Sequence, residues 1–210
     1  MLEKIVYAGV VFVGFLAIMN PIAAISIFLA LTKKDDDITS KKIAMQSTLT
    51  AFGIVALFAI AGHLLLDIFG VSFTALRLTG GIIVGLIGYE MLQGQLSNVN
   101  RPMNETIQKT IEEDGTVAVT PLGIPLLAGP GVIITAMNFS SGGFINMFIT
   151  IIAFGLLCLI TYFTFVFGKR IKEVLGVSLL KVITRMMGLI LTVIGMQMLI
   201  EGVYAAIREF

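Results

Sequence analysis

Met19-Asn20-Pro21-Ile22-Ala23-Ala24-Ile25-Ser26 lies inside an uncharged run from Ile5 to Thr32. Its counterpart, Thr120-Pro121-Leu122-Gly123-Ile124-Pro125-Leu126-Leu127-Ala128-Gly129-Pro130-Gly131, lies inside a second uncharged run from Gly115 to Gly168. Both runs are long enough to cross a bilayer, for which about 20 apolar residues suffice. Proline inside such a helix removes a backbone hydrogen bond and clashes with the preceding turn. Lipid supplies no water to replace the lost partner, so the freed backbone must face protein or a polar cavity. The second stretch carries three prolines and three glycines in twelve residues. At ~3 kcal/mol per interior proline and ~1 per glycine, it cannot hold one unbroken helix. Two half-helices are expected there, and a break is expected at Asn20-Pro21.

The rest of the chain fits the same setting. Mean hydropathy is +1.01, 57% of residues are hydrophobic and 13% are charged, against roughly 25% charged in an ordinary soluble domain. Further apolar runs cover Ile43 to Gly62, Leu78 to Tyr89 and Met186 to Ile200, and the run after Asp114 turns at Ser140-Ser141-Gly142-Gly143. The predicted class is therefore an all-α membrane protein with six transmembrane helices near residues 5–31, 43–64, 73–93, 117–138, 144–167 and 179–201. The segment from Gln95 to Thr116 reads as a polar loop. Only Lys4 precedes the first span among the basic residues, no small-residue cleavage pattern follows it, and it carries the Asn-Pro step, so it is expected to stay in the mature protein.

Lysine and arginine are unevenly distributed. Loops one, three and five with their adjoining helix ends hold eleven of them, and the opposite side holds three, Lys4, Arg77 and Arg208. The positive-inside rule then makes the odd loops cytoplasmic and leaves both termini outside. Acidic residues weigh little in that rule, so Asp35-Asp36-Asp37 is read as solvating its loop or beginning the second span. The net charge of +1 gives no reason to expect a nucleic-acid partner.

Internal similarity suggests duplication. Gly62–Ser72 and Gly168–Ser178 both start with glycine and end in Gly-Val-Ser, at an offset of 106. Arg77, Gly80 and Ile82 return as Arg185, Gly188 and Ile190 at 108, and Ile87-Gly88 and Met91-Leu92 return as Ile194-Gly195 and Met198-Leu199 at 107. Glu90 then falls opposite Gln197, and Gly94 opposite Gly202. Three spans per half is an odd number, so the expectation is two inverted three-helix repeats, residues 1–94 and 117–210, joined by a cytoplasmic loop at 95–116. Broken helices one and four would meet near the midplane, where inverted-repeat transporters bind their substrates. The competing reading is chance likeness among glycine-rich apolar segments.

The candidate substrate-binding residues are Asn20, Pro21, Ala23, Thr120, Pro121, Gly123, Gly129 and Gly131. Unwound backbone offers amides and carbonyls, and the N-terminus of the next half-helix carries partial positive charge suited to a carboxylate. Glycine and alanine let a ligand approach the main chain, while Asn20 and Thr120 offer side-chain hydrogen bonds. A small zwitterion suits such a site. The bland alternative for each motif is a packed kink.

Other residues weigh less. Glu90 is a candidate for proton coupling, although its place near a helix end favours an interfacial role. Arg77 and Arg185 are expected to snorkel to headgroups. His63 has no evident companions for a metal site, and Cys158 and the methionines read as packing. There is no phosphate-binding glycine loop of Walker type, no paired-histidine metal motif and no serine with a plausible histidine partner. An enzyme is therefore not expected, nor a metal or a cofactor.

At Asn20-Pro21 leading to Phe28-Leu29-Ala30-Leu31-Thr32, and above all along Thr120 to Gly131, the chain resembles the MarC family of six-span membrane proteins. The resemblance covers nearly its whole length. Family members often have glycine and proline where this chain has Ala23 and Ser26. The resemblance implies secondary transport of small neutral amino acids such as glycine and alanine, with H+ or Na+ as the candidate coupling ion, in a prokaryotic inner or plasma membrane. The expected partners are the lipid bilayer and that amino acid, with homo-oligomer formation left open. The alternatives are a channel or exporter for another small solute, and a membrane scaffold without transport.

Overall fold

The computed structural model describes residues 2–33, 35–94 and 127–209. Among them are seven helices: α1 (Leu2–Met19), α2 (Pro21–Leu31), α3 (Asp37–Phe69), α4 (Phe73–Leu92), α5 (Pro130–Ser140), α6 (Phe144–Val166) and α7 (Gly168–Glu209). No strand occurs among these residues. Five stretches are long and apolar enough to cross a membrane: Leu2–Leu31, Asp37–Gly62, Phe73–Leu92, Phe144–Val166 and Ser178–Arg208. Of the span expected at 117–138, the described part is the approach from Leu127 and the half-helix α5; residues 117–126 and the loop at 95–116 lie outside the described residues.

The helix ends follow from local chemistry. Asp36 starts α3, its Oδ1 accepting from the Thr39 amide at 3.2 Å, so the acidic run begins the second span, one of its two expected roles. That hydrogen bond, with further backbone bonds, holds the exposed Asp36 carboxyl below its usual value. Ser72 starts α4 by accepting from the Ala75 amide at 3.1 Å. Gly70, at φ 63°, ends α3, and Gly143, at φ 106°, separates α5 from α6 in the expected Ser-Ser-Gly-Gly turn.

Two boundaries differ from expectation. The second span extends well beyond 43–64: α3 has 33 residues and at ~1.5 Å per residue is about 50 Å long, more than the ~30 Å hydrocarbon layer. The connection before the last span is helical from Gly168 rather than an open loop, interrupted only at Gly176, where φ is 66° and ψ is 164°. Its lysines, arginine and glutamate lower hydropathy but are good helix formers. Gly70 and Gly176, matched at the offset of 106, both take positive φ.

Aromatic packing ties α1 to α5 and α6, and α2 to α6. Phe15 of α1 meets Phe139 and Phe154 edge-on at centroid distances of 5.7 and 5.0 Å, and Phe28 of α2 stacks on Phe165 at 4.4 Å. A second cluster joins Val84, Ile87 and Met91 of α4 to Leu191 and Met198 of α7, with Ala17 of α1. Leu57, Ile60, Leu64, Ile152, Leu156, Val193 and Met196 face outward, as a lipid solvent requires.

Helices α4 and α7 meet through glycine. A Cβ added at Gly81 would lie 2.8 Å from the Gly195 carbonyl oxygen, and one added at Gly88 would lie 2.8 Å from the Gly188 carbonyl oxygen. Numbers rise along one helix as they fall along the other, so the pair is antiparallel. The backbones touch because no side chain intervenes.

Candidate functional site

Asn20 separates α1 from α2 with a left-handed backbone, φ 42° and ψ 68°. It is the one non-glycine residue with positive φ among the described residues, and asparagine tolerates this conformation better than most. Its N–H donates to the Leu16 carbonyl at 3.0 Å and closes α1, while its own carbonyl accepts from the Ala24 amide at 3.1 Å and opens α2. Its Oδ1 also accepts from the Ala23 amide at 3.3 Å. Pro21 occupies the first position of α2, where its missing N–H is no loss. One residue thus serves both helices, and the span changes course without stranding its backbone in lipid.

The Asn20 side chain is half satisfied. The residue is 6% exposed, and Nδ2 is buried with no hydrogen-bond partner among the described residues. A buried amide donor without an acceptor costs roughly 1–3 kcal/mol, and such groups are rare enough to call for a reason. Beside it, Thr161 of α6 is fully buried, its hydroxyl donating to the Leu157 carbonyl at 2.8 Å and lying 3.6 Å from the Met19 sulfur. Ser47 and Thr135 also bury hydroxyls that find no partner among the described residues.

The second break begins α5 at Gly129-Pro130-Gly131. Gly129 is the N-cap and gives no side-chain cap bond, and Pro130 fills the first helical position. Leu127 and Ala128 before it are buried. A Cβ at Gly131 would stand 3.0 Å from both Ile18 of α1 and Ile87 of α4, so the start of α5 lies against the last turn of α1, two residues from Asn20. Gly14 in turn faces Phe139, near the end of α5, which makes α1 and α5 antiparallel. The N-terminal ends of α2 and α5 are therefore brought to the same level. Each carries roughly half a positive charge.

Of the candidate residues, Asn20, Pro21, Ala23, Gly129 and Gly131 are placed around this junction: Asn20, Pro21 and Gly131 are buried, and Ala23 and Gly129 half-buried. Thr120, Pro121 and Gly123 lie outside the described residues, as does the His63 side chain. Thr161, Ser47 and Thr135 were not singled out in the sequence. A hydroxyl in an apolar helix usually bonds its own backbone, so nothing local marks them. Arg77 departs from the snorkelling expectation: its Nε donates to Asn138 Oδ1 at 3.1 Å and its guanidinium lies 4.9 Å over the Phe73 ring. Among the described residues, no three His, Cys, Asp or Glu side chains gather as metal ligands.

Two cavities with both polar and apolar walls lie at opposite ends of α6. One, of about 280 Å³, adjoins Thr32, Asp37, Ser40, Lys41 and Lys169; the other, of about 350 Å³, adjoins Tyr7, Arg77, Asn138, Asn146 and Glu201. At ~1.5 Å per residue, Asn146 and Phe165 on α6 are about 28 Å apart.

Comparison with known proteins gives one consistent result. The model of the family described as MarC family integral membrane protein matches residues 5–207. A membrane protein of Pyrococcus horikoshii is 39% identical over 209 residues, covering 98% of each chain. The membrane protein YvbG of Bacillus subtilis is 36% identical, covering 91% of this chain and 92% of its own. The inner membrane protein MarC of Escherichia coli is 28% identical over the full length of both. No solved structure matches.

Proposed function

The chain belongs to the MarC family of integral membrane proteins, and from that premise we propose that it is a secondary transporter of small neutral amino acids such as glycine and alanine. The observation that carries this reading is the buried, unpartnered Asn20 amide at a junction of two helix N-termini. An amide donor and two positive helix ends suit a carboxylate. A hydrogen bond to a charged group contributes about 1.5–3 kcal/mol, enough to explain why an orphan donor is kept there. Pro21, Ala23, Gly129 and Gly131 would shape the space, with Thr120, Pro121 and Gly123 completing it from the second break.

The route would run by alternating access between the cavities at the two ends of α6, with H+ or Na+ supplying the drive. The antiparallel glycine contact of α4 with α7 and the paired positive-φ glycines support two inverted halves, residues 1–94 and 117–210. The eleven-to-three division of basic residues supports cytoplasmic odd loops and outside termini. The Escherichia coli relative, named an inner membrane protein, supports the same membrane here.

The test is uptake of radiolabelled glycine into proteoliposomes under imposed proton or sodium gradients. Asn20→Asp keeps the capping oxygen and exchanges the donor for an acceptor. It is expected to cut uptake at least tenfold while the amount of folded protein changes less than twofold. Saturable wild-type uptake with an undiminished Asn20→Asp variant would remove Asn20 from the site, and no wild-type uptake under either gradient would overturn the transport reading.

A further inference from the structure

We propose that the cavity between Tyr7, Arg77, Asn138, Gln197 and Glu201 is a second binding site, a vestibule that captures an amino-acid zwitterion at the membrane face away from the lysine-rich loops. Its link to transport rests on the function proposed above; the binding itself does not.

The site is assembled from separate parts of the fold. Arg77 comes from the second turn of α4, Glu201 and Gln197 from α7, Asn138 from the end of α5 and Tyr7 from α1. Each charge is held by a neutral partner: Asn138 Oδ1 accepts from Arg77 Nε at 3.1 Å, and Gln197 Nε2 donates to Glu201 Oε1 at 3.0 Å. Phe73 supports the guanidinium from below at 4.9 Å. The Tyr7 hydroxyl donates to the Phe139 carbonyl.

Opposite charges sharing one cavity would ordinarily pair with each other. Among the described residues, no ion pair joins Arg77 to Glu201; the one such pair is Lys169 with Asp37. Arg77 bonds Asn138 and Glu201 bonds Gln197 instead. The cavity that both line admits a molecule carrying a carboxylate for the guanidinium and an ammonium for the glutamate. Arginine suits the first role because its fork matches carboxylate geometry. A volume of about 350 Å³, against ~30 Å³ for each water, admits a small amino acid with part of its hydration shell. Ile194 and Met198 line the same space, so an apolar side chain larger than methyl also finds a surface.

The function of such a site is capture. A focused pair of charges at the mouth raises the local concentration of a polar solute before it meets the narrow junction at Asn20. The vestibule is therefore less selective than that junction, and larger neutral amino acids bind there without being carried.

The experiment is equilibrium binding of radiolabelled glycine to the full-length protein in nanodiscs, alongside uptake in proteoliposomes. Arg77→Gln and Glu201→Gln are each expected to weaken binding at least tenfold, while Asn20→Asp retains vestibule binding. In uptake, Arg77→Gln raises KM for entry from the lysine-poor face and leaves KM from the opposite face unchanged. A purely structural role would move both faces together. Absence of glycine binding to the wild type, or binding within twofold of wild type in both cavity variants, overturns the vestibule. Binding that depends on Arg77 and Glu201 without any uptake upholds the vestibule and refutes transport; uptake indifferent to both residues does the reverse.

Discussion

Gly195→Ala is expected to be among the most damaging one-carbon changes in this protein. A Cβ there would stand 2.4 Å from the Gly85 nitrogen, 2.7 Å from its Cα and 2.8 Å from the Gly81 carbonyl oxygen. Non-bonded carbon is comfortable at ~3.5–4.0 Å, so α4 must retreat by on the order of 1 Å. The obstacle is backbone and has no rotamer to change. Overpacking costs about 1–3 kcal/mol, and an immovable neighbour places this site near 3. The intrinsic helix gain of alanine over glycine returns up to ~1 kcal/mol, for a net loss of about 2. Gly85→Ala is the control. It adds the same carbon to the facing helix, yet nothing among the described residues lies within 4 Å of that Cβ, so the variant is expected to be neutral or up to ~1 kcal/mol more stable. Unfolding in mixed micelles, followed by far-ultraviolet circular dichroism, measures both. A Gly195→Ala protein as stable as wild type, or a Gly85→Ala protein less stable than Gly195→Ala, would refute the crossing geometry.

Two further expectations concern the ends of helices. Gly176, at φ 66° and ψ 164°, occupies a region open essentially to glycine alone, so Gly176→Ala should cost about 1–3 kcal/mol in the same unfolding measurement, although no neighbour within 4 Å blocks the added carbon. The Asp36 carboxyl is held below its ordinary value of 3.8, chiefly by its bond to Thr39; its contribution to α3 is thus present above that value and is lost as pH falls through the lower folded value. Hydrogen exchange at the Thr39 amide, corrected for its intrinsic pH dependence, should lose protection on acidification in the wild type and lose less in Asp36→Asn.

How much of this was legible beforehand depended on the range of the interaction. The break at Asn20-Pro21 could be read because proline's effect on a lipid-bound helix is local, and the Ser-Ser-Gly-Gly turn could be read for the same reason. The left-handed backbone of Asn20 and its idle Nδ2 could not, since they depend on what surrounds the residue. Arg77 was read as a headgroup contact because its position in the helix was known and Asn138, 61 residues away, was not. Gly168–Leu175 read as a loop because hydropathy falls there, whereas helix formation is indifferent to that cause. The glycines of α4 and α7 were visible as a recurring pattern, but their partners lie a hundred positions or more away along the chain. Thr120, Pro121 and Gly123 carry the strongest sequence signal, and they lie outside the described residues.

The glycine contact between α4 and α7 has a mechanical meaning. Helices locked by interdigitated side chains resist turning against each other, because every knob must leave its hole. Here backbone meets backbone at two levels, Gly81–Gly195 and Gly88–Gly188, and the Leu199, Thr192 and Met91 side chains close over the same glycines. Drawing them apart forfeits dispersion along the whole line, and tilting one about the other drives backbone into backbone at whichever level closes. The crossing is built as a clamp: contact at two levels fixes both the distance between its two helices and their angle, so the pair moves as one body.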